Sequence, residues 1–225
     1  MVLRSLCRLD TKPVKSKMPL TLFVLHMIQL HLDLSSVDNA MIWAAWCTAF
    51  FGFLRAGEFT TPVEGFDADR HLSLKDISVE KSSNPDYLFL RLRFSKTDQF
   101  GKGCTVRLAR SSGPICPVQA LLAYLWQRGN SPGPLFVFAD GTPLSKILLN
   151  SCLQSRLTVC GWPKTFSLHS FRVGAATTAA ALGFPDHLIQ AMGRWTSDAY
   201  KVYIKLPSDM LLVASSRLAN AQPFA

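Results

Sequence analysis

Two stretches decide how this chain reads: Leu168-His169-Ser170-Phe171-Arg172, and Gly193-Arg194-Trp195-Thr196-Ser197-Asp198-Ala199-Tyr200-Lys201-Val202-Tyr203-Ile204-Lys205. In the first, His169 and Arg172 stand at i and i+3, so a helix puts them on one face near its N-terminus. Such a face gathers a phosphate together with the unpaired amides of the helix end. Taken alone, the pair is equally a capping histidine beside a surface arginine. The second stretch supplies two phenols, Tyr200 and Tyr203, flanked by Arg194, Lys201 and Lys205. Either tyrosine by itself reads first as packing on a short amphipathic helix.

Two upstream motifs change the weighing. Phe53-Leu54-Arg55-Ala56-Gly57-Glu58-Phe59 puts Arg55 directly behind a nearly uninterrupted apolar run, where a buried charge is costly unless it is used. Its bland reading is an arginine at a helix C-terminus, bonded to the last carbonyls and to Glu58. Phe94-Ser95-Lys96-Thr97-Asp98-Gln99-Phe100-Gly101-Lys102-Gly103 looks like the tip of a hairpin. There Lys96 is either a solvated turn lysine or a group that reaches a base edge or a leaving oxygen.

In order, these motifs give Arg, Lys, His-x-x-Arg, Trp, Tyr. That ordered set resembles the active site of the tyrosine recombinases, also called phage-type integrases, over about Pro19 to Asn220. The Gly-Arg-Trp-Thr-Ser-Asp-Ala-Tyr and Ser-Lys-Thr-Asp-Gln-Phe forms look most like those of eukaryotic mobile elements. The resemblance implies that Arg55 and Arg172 clamp the scissile phosphate and that Lys96 protonates the leaving 5′-oxygen. It makes His169 a proton acceptor or phosphate ligand, puts Trp195 at the family's His-or-Trp position and makes Tyr203 the nucleophile. Tyr203 follows Trp195 by eight residues where nine is common in the family, so Tyr200 remains a rival.

Elementary chemistry agrees with those roles. A phosphodiester gathers negative charge on its nonbridging oxygens as a nucleophile adds, and guanidinium forks stabilise that charge. A free phenol ionises only near pH about 10, and nearby cations make the phenolate easier to form. A phosphotyrosine conserves the bond energy, so rejoining needs no ATP. The chain carries no Walker A motif and no acidic cluster for magnesium, so no cofactor and no metal are expected.

Composition fits the same picture. Lys and Arg number 24 against 15 Asp and Glu, a formal charge of +9, which suits a polyanionic partner, here double-stranded DNA. The six cysteines show no C-x-x-C spacing and complete no zinc pattern with the histidines, so they read as reduced intracellular thiols. The apolar run Ala40–Leu54 has 15 residues, short of the roughly 20 needed to span a bilayer. It reads as a buried helix, not a membrane span.

The expected fold is α+β: mostly helical, with a small three-stranded antiparallel sheet. Strands are expected around Leu72–Leu74, Leu88–Phe94 and Cys104–Leu108, where the period drops to two. Helices are expected after Thr21, from Asp38 through Phe53, from Pro117 to Trp126, from Ser145 to Leu157, from Leu168 to Leu182 with Ser167 as cap, from Pro185 to near Gly193, around Tyr200 and Tyr203, and from Ser208 to Asn220. Residues 1–17 read as a basic flexible lead-in and 18–225 as the catalytic domain, without the family's usual N-terminal DNA-binding domain. The resemblance further implies a homo-oligomer on DNA, a tetramer, in which the last helix docks on a neighbour. Two other functions fit the same residues: a DNA-binding protein whose active site is unused, and a topoisomerase-like nicking and relaxing enzyme.

Overall fold

The computed structural model describes residues 18–80, 83–94, 103–162, 165–204 and 216. The lead-in before residue 18, the hairpin tip that carries Lys96 and the expected Ser208–Asn220 helix (apart from residue 216) lie outside the described residues.

The centre of the domain is α2, Val37–Phe51, preceded by α1, Leu22–Gln29. Helix α2 buries all but its ends, and this all-round burial is why its sequence shows no polar face. It packs against α4, Pro117–Arg128, on one side and α6, His169–Ala181, on the other. Trp46 of α2 stacks on Phe171 of α6 with ring centroids 6.3 Å apart. Asp38 does not cap α2 as expected: Ser36 holds the cap position, and the Asp38 carboxylate accepts instead from the Ala139 N–H at 2.7 Å. Phe53 also falls outside the helix. It adopts a left-handed backbone, φ 50°, while Leu54 N–H bonds Ala49 O at 2.9 Å and Phe53 N–H bonds Phe50 O at 3.1 Å. That pair of bonds is a Schellman closure, normally made with glycine.

The sheet is antiparallel in the order β1 (Ile77–Val79), β2 (Tyr87–Leu92), β3 (Cys104–Ala109). Leu88, Leu90 and Leu92 turn inward, and Val106 stands opposite Leu90. The first strand begins later than expected, because Asp76 organises the backbone before it. Its Oδ2 accepts from both the N–H and the Oγ–H of Ser73, at 2.9 and 2.7 Å, closing the 3-10 turn Leu74–Asp76. Leu72-Ser73-Leu74 is therefore spent on that turn and on a bridge from Ser73 to Pro134, and pairing starts only at Ile77.

The rest brings the C-terminal motifs onto the core. Helix α3 is the single turn Ala56–Phe59, and α5, Lys146–Val159, is capped by Ser145. Helix α6 lacks the expected Ser167 cap: Leu168 precedes it in helical geometry, and Ser170 Oγ accepts from the Ser167 N–H at 3.0 Å. The backbone before α1 lies directly on α6, with Leu20 N–H bonded to Ser170 O at 2.9 Å. A Cβ on Gly174 would stand 1.9 Å from Leu20 O, so only glycine permits this approach. Helix α7, Asp186–Gly193, then leads into a 3-10 helix, Asp198–Tyr203, which packs on α6 and α7. Cys47, Cys104, Cys116, Cys152 and Cys160 are free thiols. Among the described residues there is no His/Cys/Asp/Glu metal cluster, and no helix is long and apolar enough to cross a membrane.

Candidate functional site

The site assembles around the carbonyls that end α2. Arg172, on the first turn of α6, is almost fully buried at 1% exposure. A guanidinium out of water is tolerable only if its N–H groups find acceptors. Arg172 Nη1 donates to Phe53 O and Nη2 donates to Gly193 O. Its plane lies under the Trp195 ring, 4.2 Å from the ring centroid, a desolvated cation–π contact. Arg172 thus ties together the end of α2, the end of α7 and the aromatic residue of the Gly-Arg-Trp motif.

Arg55 sits beside it at the N-terminus of α3. Its backbone N–H donates to Glu58 Oε2 at 2.9 Å and its Nη1 to Glu58 Oε1 at 3.1 Å, the glutamate half of a capping box, while the Glu58 N–H donates to Arg55 O at 2.8 Å. The Glu58 side chain is 3% exposed and the Arg55 side chain 27% exposed. The pairing expected of Arg55 with Glu58 is present, but Arg55 does not cap α2. That place is taken by Arg172 and Arg194. Arg194 Nη1 donates to Gly52 O at 2.9 Å, and Nη2 donates to Phe53 O at 3.3 Å and to Glu58 Oε2 at 2.8 Å. Two guanidinium groups at the negative end of a helix dipole are favourably placed. Arg55 and Arg194 share the carboxylate of Glu58, and with Arg172 beside them on the α2 carbonyls the cluster keeps a surplus of positive charge.

His169 opens α6 one turn before Arg172 and keeps an exposed edge. Desolvation, reinforced by the charges of Arg172 and then Arg55, holds its imidazole below the usual histidine range. Groups from two distant stretches of sequence thus lie within electrostatic reach of one another.

Trp195 is half-buried over this cluster, edge-on to Phe53 at 6.2 Å and tilted on Tyr200 at 5.8 Å. Tyr200 is buried, 2% exposed, with the Asp186 carboxylate close to its phenol. Desolvation and that carboxylate push its ionisation up, away from a reactive phenolate. Lys201 pairs with Asp198 at 2.9 Å within its own helical turn. Tyr203 is the last residue of the 3-10 helix, one turn beyond Tyr200. Lys96 and Lys205 lie outside the described residues.

The structure therefore brings Arg55, His169, Arg172 and Trp195 into one cluster beside the segment that carries Tyr203. Glu58 and Arg194 belong to this cluster but were not singled out as site residues. Glu58, three positions after Arg55 at the start of a helix, carries the capping-box spacing that signals it. Arg194 carries no comparable signal, since its partners lie 136 to 142 residues away.

No protein-family profile and no curated protein matches the chain in sequence. Solved structures do match it in fold. The XerH site-specific recombinase, bound to its palindromic difH substrate in a post-cleavage complex, aligns at TM-score 0.64 and 18% identity, over 89% of this chain and 53% of that one. XerA recombinase aligns at TM-score 0.65 and 17% identity, over 92% and 66%. A lambda integrase dimer bound to a COC′ core site aligns at TM-score 0.61 and 16% identity, over 84% and 49%. The chain thus spans between about half and two thirds of the length of these structures.

Proposed function

We propose, from the premise that this chain has the α+β fold of a tyrosine recombinase catalytic domain, that it cleaves and rejoins double-stranded DNA through a 3′-phosphotyrosine intermediate. Its setting is recombination or integration of a mobile element. The observation that carries this reading is the meeting of Arg55, His169 and Arg172 beside the segment that ends in Tyr203. A scissile phosphate placed there meets a surplus of fixed positive charge, the arrangement that stabilises a charged phosphorane-like transition state.

The roles follow from the chemistry. The Tyr203 phenolate oxygen attacks phosphorus, the bond to the 5′-oxygen breaks, and Lys96 delivers a proton to that leaving oxygen. Arg55 and Arg172 hold the nonbridging oxygens. His169, neutral because its pKa is depressed, accepts a proton or a phosphate hydrogen bond. Attack by a 5′-hydroxyl on the phosphotyrosine runs the same steps backwards and frees the phenol. Trp195 stacks on Arg172 and keeps that guanidinium aimed, and Arg172 turns part of its donor set from Phe53 O and Gly193 O to the phosphate when DNA enters. Tyr200 is a poor rival nucleophile: its phenol is buried and close to the Asp186 carboxylate. A tetramer of the chain on its DNA target is part of the proposal.

The test is a nicked suicide duplex that loses its 5′-hydroxyl fragment once cut. Wild-type protein accumulates a covalent adduct on a denaturing gel, Tyr203→Phe forms none while still binding DNA, and Tyr200→Phe still forms it. An adduct that survives in Tyr203→Phe and vanishes in Tyr200→Phe would move the nucleophile. DNA binding without an adduct from wild-type protein would leave a DNA-binding protein with an unused site.

A further inference from the structure

The resemblance gives Arg194, like Glu58, no chemical role, yet Arg194 makes the longest-range connections in the cluster. Its Nη2 bonds Glu58 Oε2 at 2.8 Å, the same oxygen that accepts the Arg55 backbone N–H at 2.9 Å. Its Nη1 bonds Gly52 O at 2.9 Å. One side chain therefore fastens the turn before the tyrosine segment to the turn that presents Arg55.

The backbone shows that this side chain is kept at a cost. Helix α7 closes as α2 does: Trp195 N–H bonds Gln190 O at 3.1 Å and Arg194 N–H bonds Ala191 O at 3.0 Å, with Arg194 left-handed at φ 56°. Glycine fits that position best. Phe53 and Arg194 are the two non-glycine residues with positive φ among the described residues. They are joined directly, since Arg194 Nη2 donates to Phe53 O. Strained backbone of this kind concentrates at functional sites.

We infer that Arg194 is a positioning residue for DNA cleavage: it shares the Glu58 carboxylate, so that Arg55 is held in place without being neutralised. The inference rests on the recombinase reading above. Glu58 fixes Arg55 through its backbone N–H and its Nη1. With Arg194 removed, the whole carboxylate charge falls on Arg55, whose pull on a phosphate oxygen weakens. Arg194 Nη2 is bound to the Glu58 carboxylate, an anionic partner that a phosphate would have to displace, so Arg194 acts through Arg55 and not on the DNA.

Single-turnover adduct formation on the suicide duplex tests this, with the scissile group either a phosphodiester or a neutral methylphosphonate. On the phosphodiester, Arg194→Ala slows the adduct by about tenfold to a hundredfold, at or below the loss of one direct oxyanion donor, and Arg194→Lys recovers part of it. On the methylphosphonate, where less charge develops, the Arg194→Ala deficit shrinks to a few-fold, a contrast that partial unfolding cannot produce. Glu58→Gln abolishes the dependence, so Glu58→Gln/Arg194→Ala reacts no more slowly than Glu58→Gln alone. Equal losses on both substrates, no loss at all, or additive losses in the double variant overturn the inference while an active wild type leaves the recombinase reading standing. No adduct from wild type on either substrate overturns both.

Discussion

Gly193→Ala tests how the aromatic residue of the site is seated. A Cβ built on Gly193 lies 1.6, 1.9 and 2.4 Å from three ring carbons of Trp195, where ordinary contact begins at 3.4 Å. The ring must retreat by about 2 Å. That withdraws it from Arg172, a desolvated cation–π contact worth about 2 kcal/mol. It also disturbs the edge contacts with Phe53 and Tyr200, each worth about 0.5–1.5 kcal/mol. Against this stands a gain of about 1 kcal/mol for replacing a helical glycine. The net loss is about 2–4 kcal/mol, a fall in Tm of roughly 4–16 °C for a chain of this size. Thermal melting followed by tryptophan fluorescence reads the stability, and the suicide duplex reads the chemistry, which should slow at least about tenfold because Arg172 is no longer stacked and aimed. Gly113→Ala is the control, since a Cβ there meets nothing within 4 Å. The decisive arm is the Trp195→Ala background, in which the obstacle is gone and Gly193→Ala should cost nothing. A Gly193→Ala penalty of equal size in both backgrounds would refute the reasoning, because the two residues would then be uncoupled.

Two further outcomes are expected. Because desolvation and the Arg172 and Arg55 charges lower the His169 pKa, its imidazole stays neutral as pH falls through the ordinary histidine value of about 6.5; the acid limb of the adduct rate should lie below that value and rise toward it in Arg55→Met, which an NMR titration of His169 checks without DNA, and a wild-type His169 titrating above the ordinary value would contradict it. Gly174→Ala drives a methyl into Leu20 O at 1.9 Å and threatens the Leu20 N–H bond to Ser170 O, so overpacking of about 1–3 kcal/mol plus one hydrogen bond of about 1 kcal/mol should lower Tm by roughly 5–15 °C, and an unchanged Tm would mean that the 18–21 segment does not lie on α6.

Much of the fold was legible because it rests on short-range signals. The apolar run through Trp43 and Trp46, the alternation at Leu88, Leu90 and Leu92, the cap at Thr21, the helix from Ser145 and the cap at Thr196 or Ser197, which falls to Ser197, are local patterns, and each forms the expected element. The misplacements have local physical causes too. Leu72-Ser73-Leu74 alternates like a strand, but a carboxylate three residues after a serine stabilises a turn there more strongly than pairing would. Ser167 looks like a cap, but Ser170 Oγ takes up its N–H and Leu168 enters helical geometry first.

The site was legible by residue type and order, not by connection. Sequence places Arg55 behind an apolar helix and suggests that it caps that helix. Three-dimensional packing gives that task to Arg172 and Arg194, which approach the α2 carbonyls from 119 to 142 residues away. This exchange has a consequence for the chemistry. Had Arg55 capped α2, its guanidinium would be spent on Gly52 O and Phe53 O and turned into the protein. Because two other arginines satisfy those carbonyls, Arg55 needs only Glu58 to hold it and keeps a side chain 27% exposed. The left-handed turns at Phe53 and Arg194 make the exchange possible, since each swings the chain sharply off its helix end and brings the two ends face to face. Two helices that stop in the same strained way thus place two guanidinium groups on one carboxylate and a third beside them on the α2 carbonyls, and the sequence trace of the two helix ends is a phenylalanine and an arginine standing where glycine is usual.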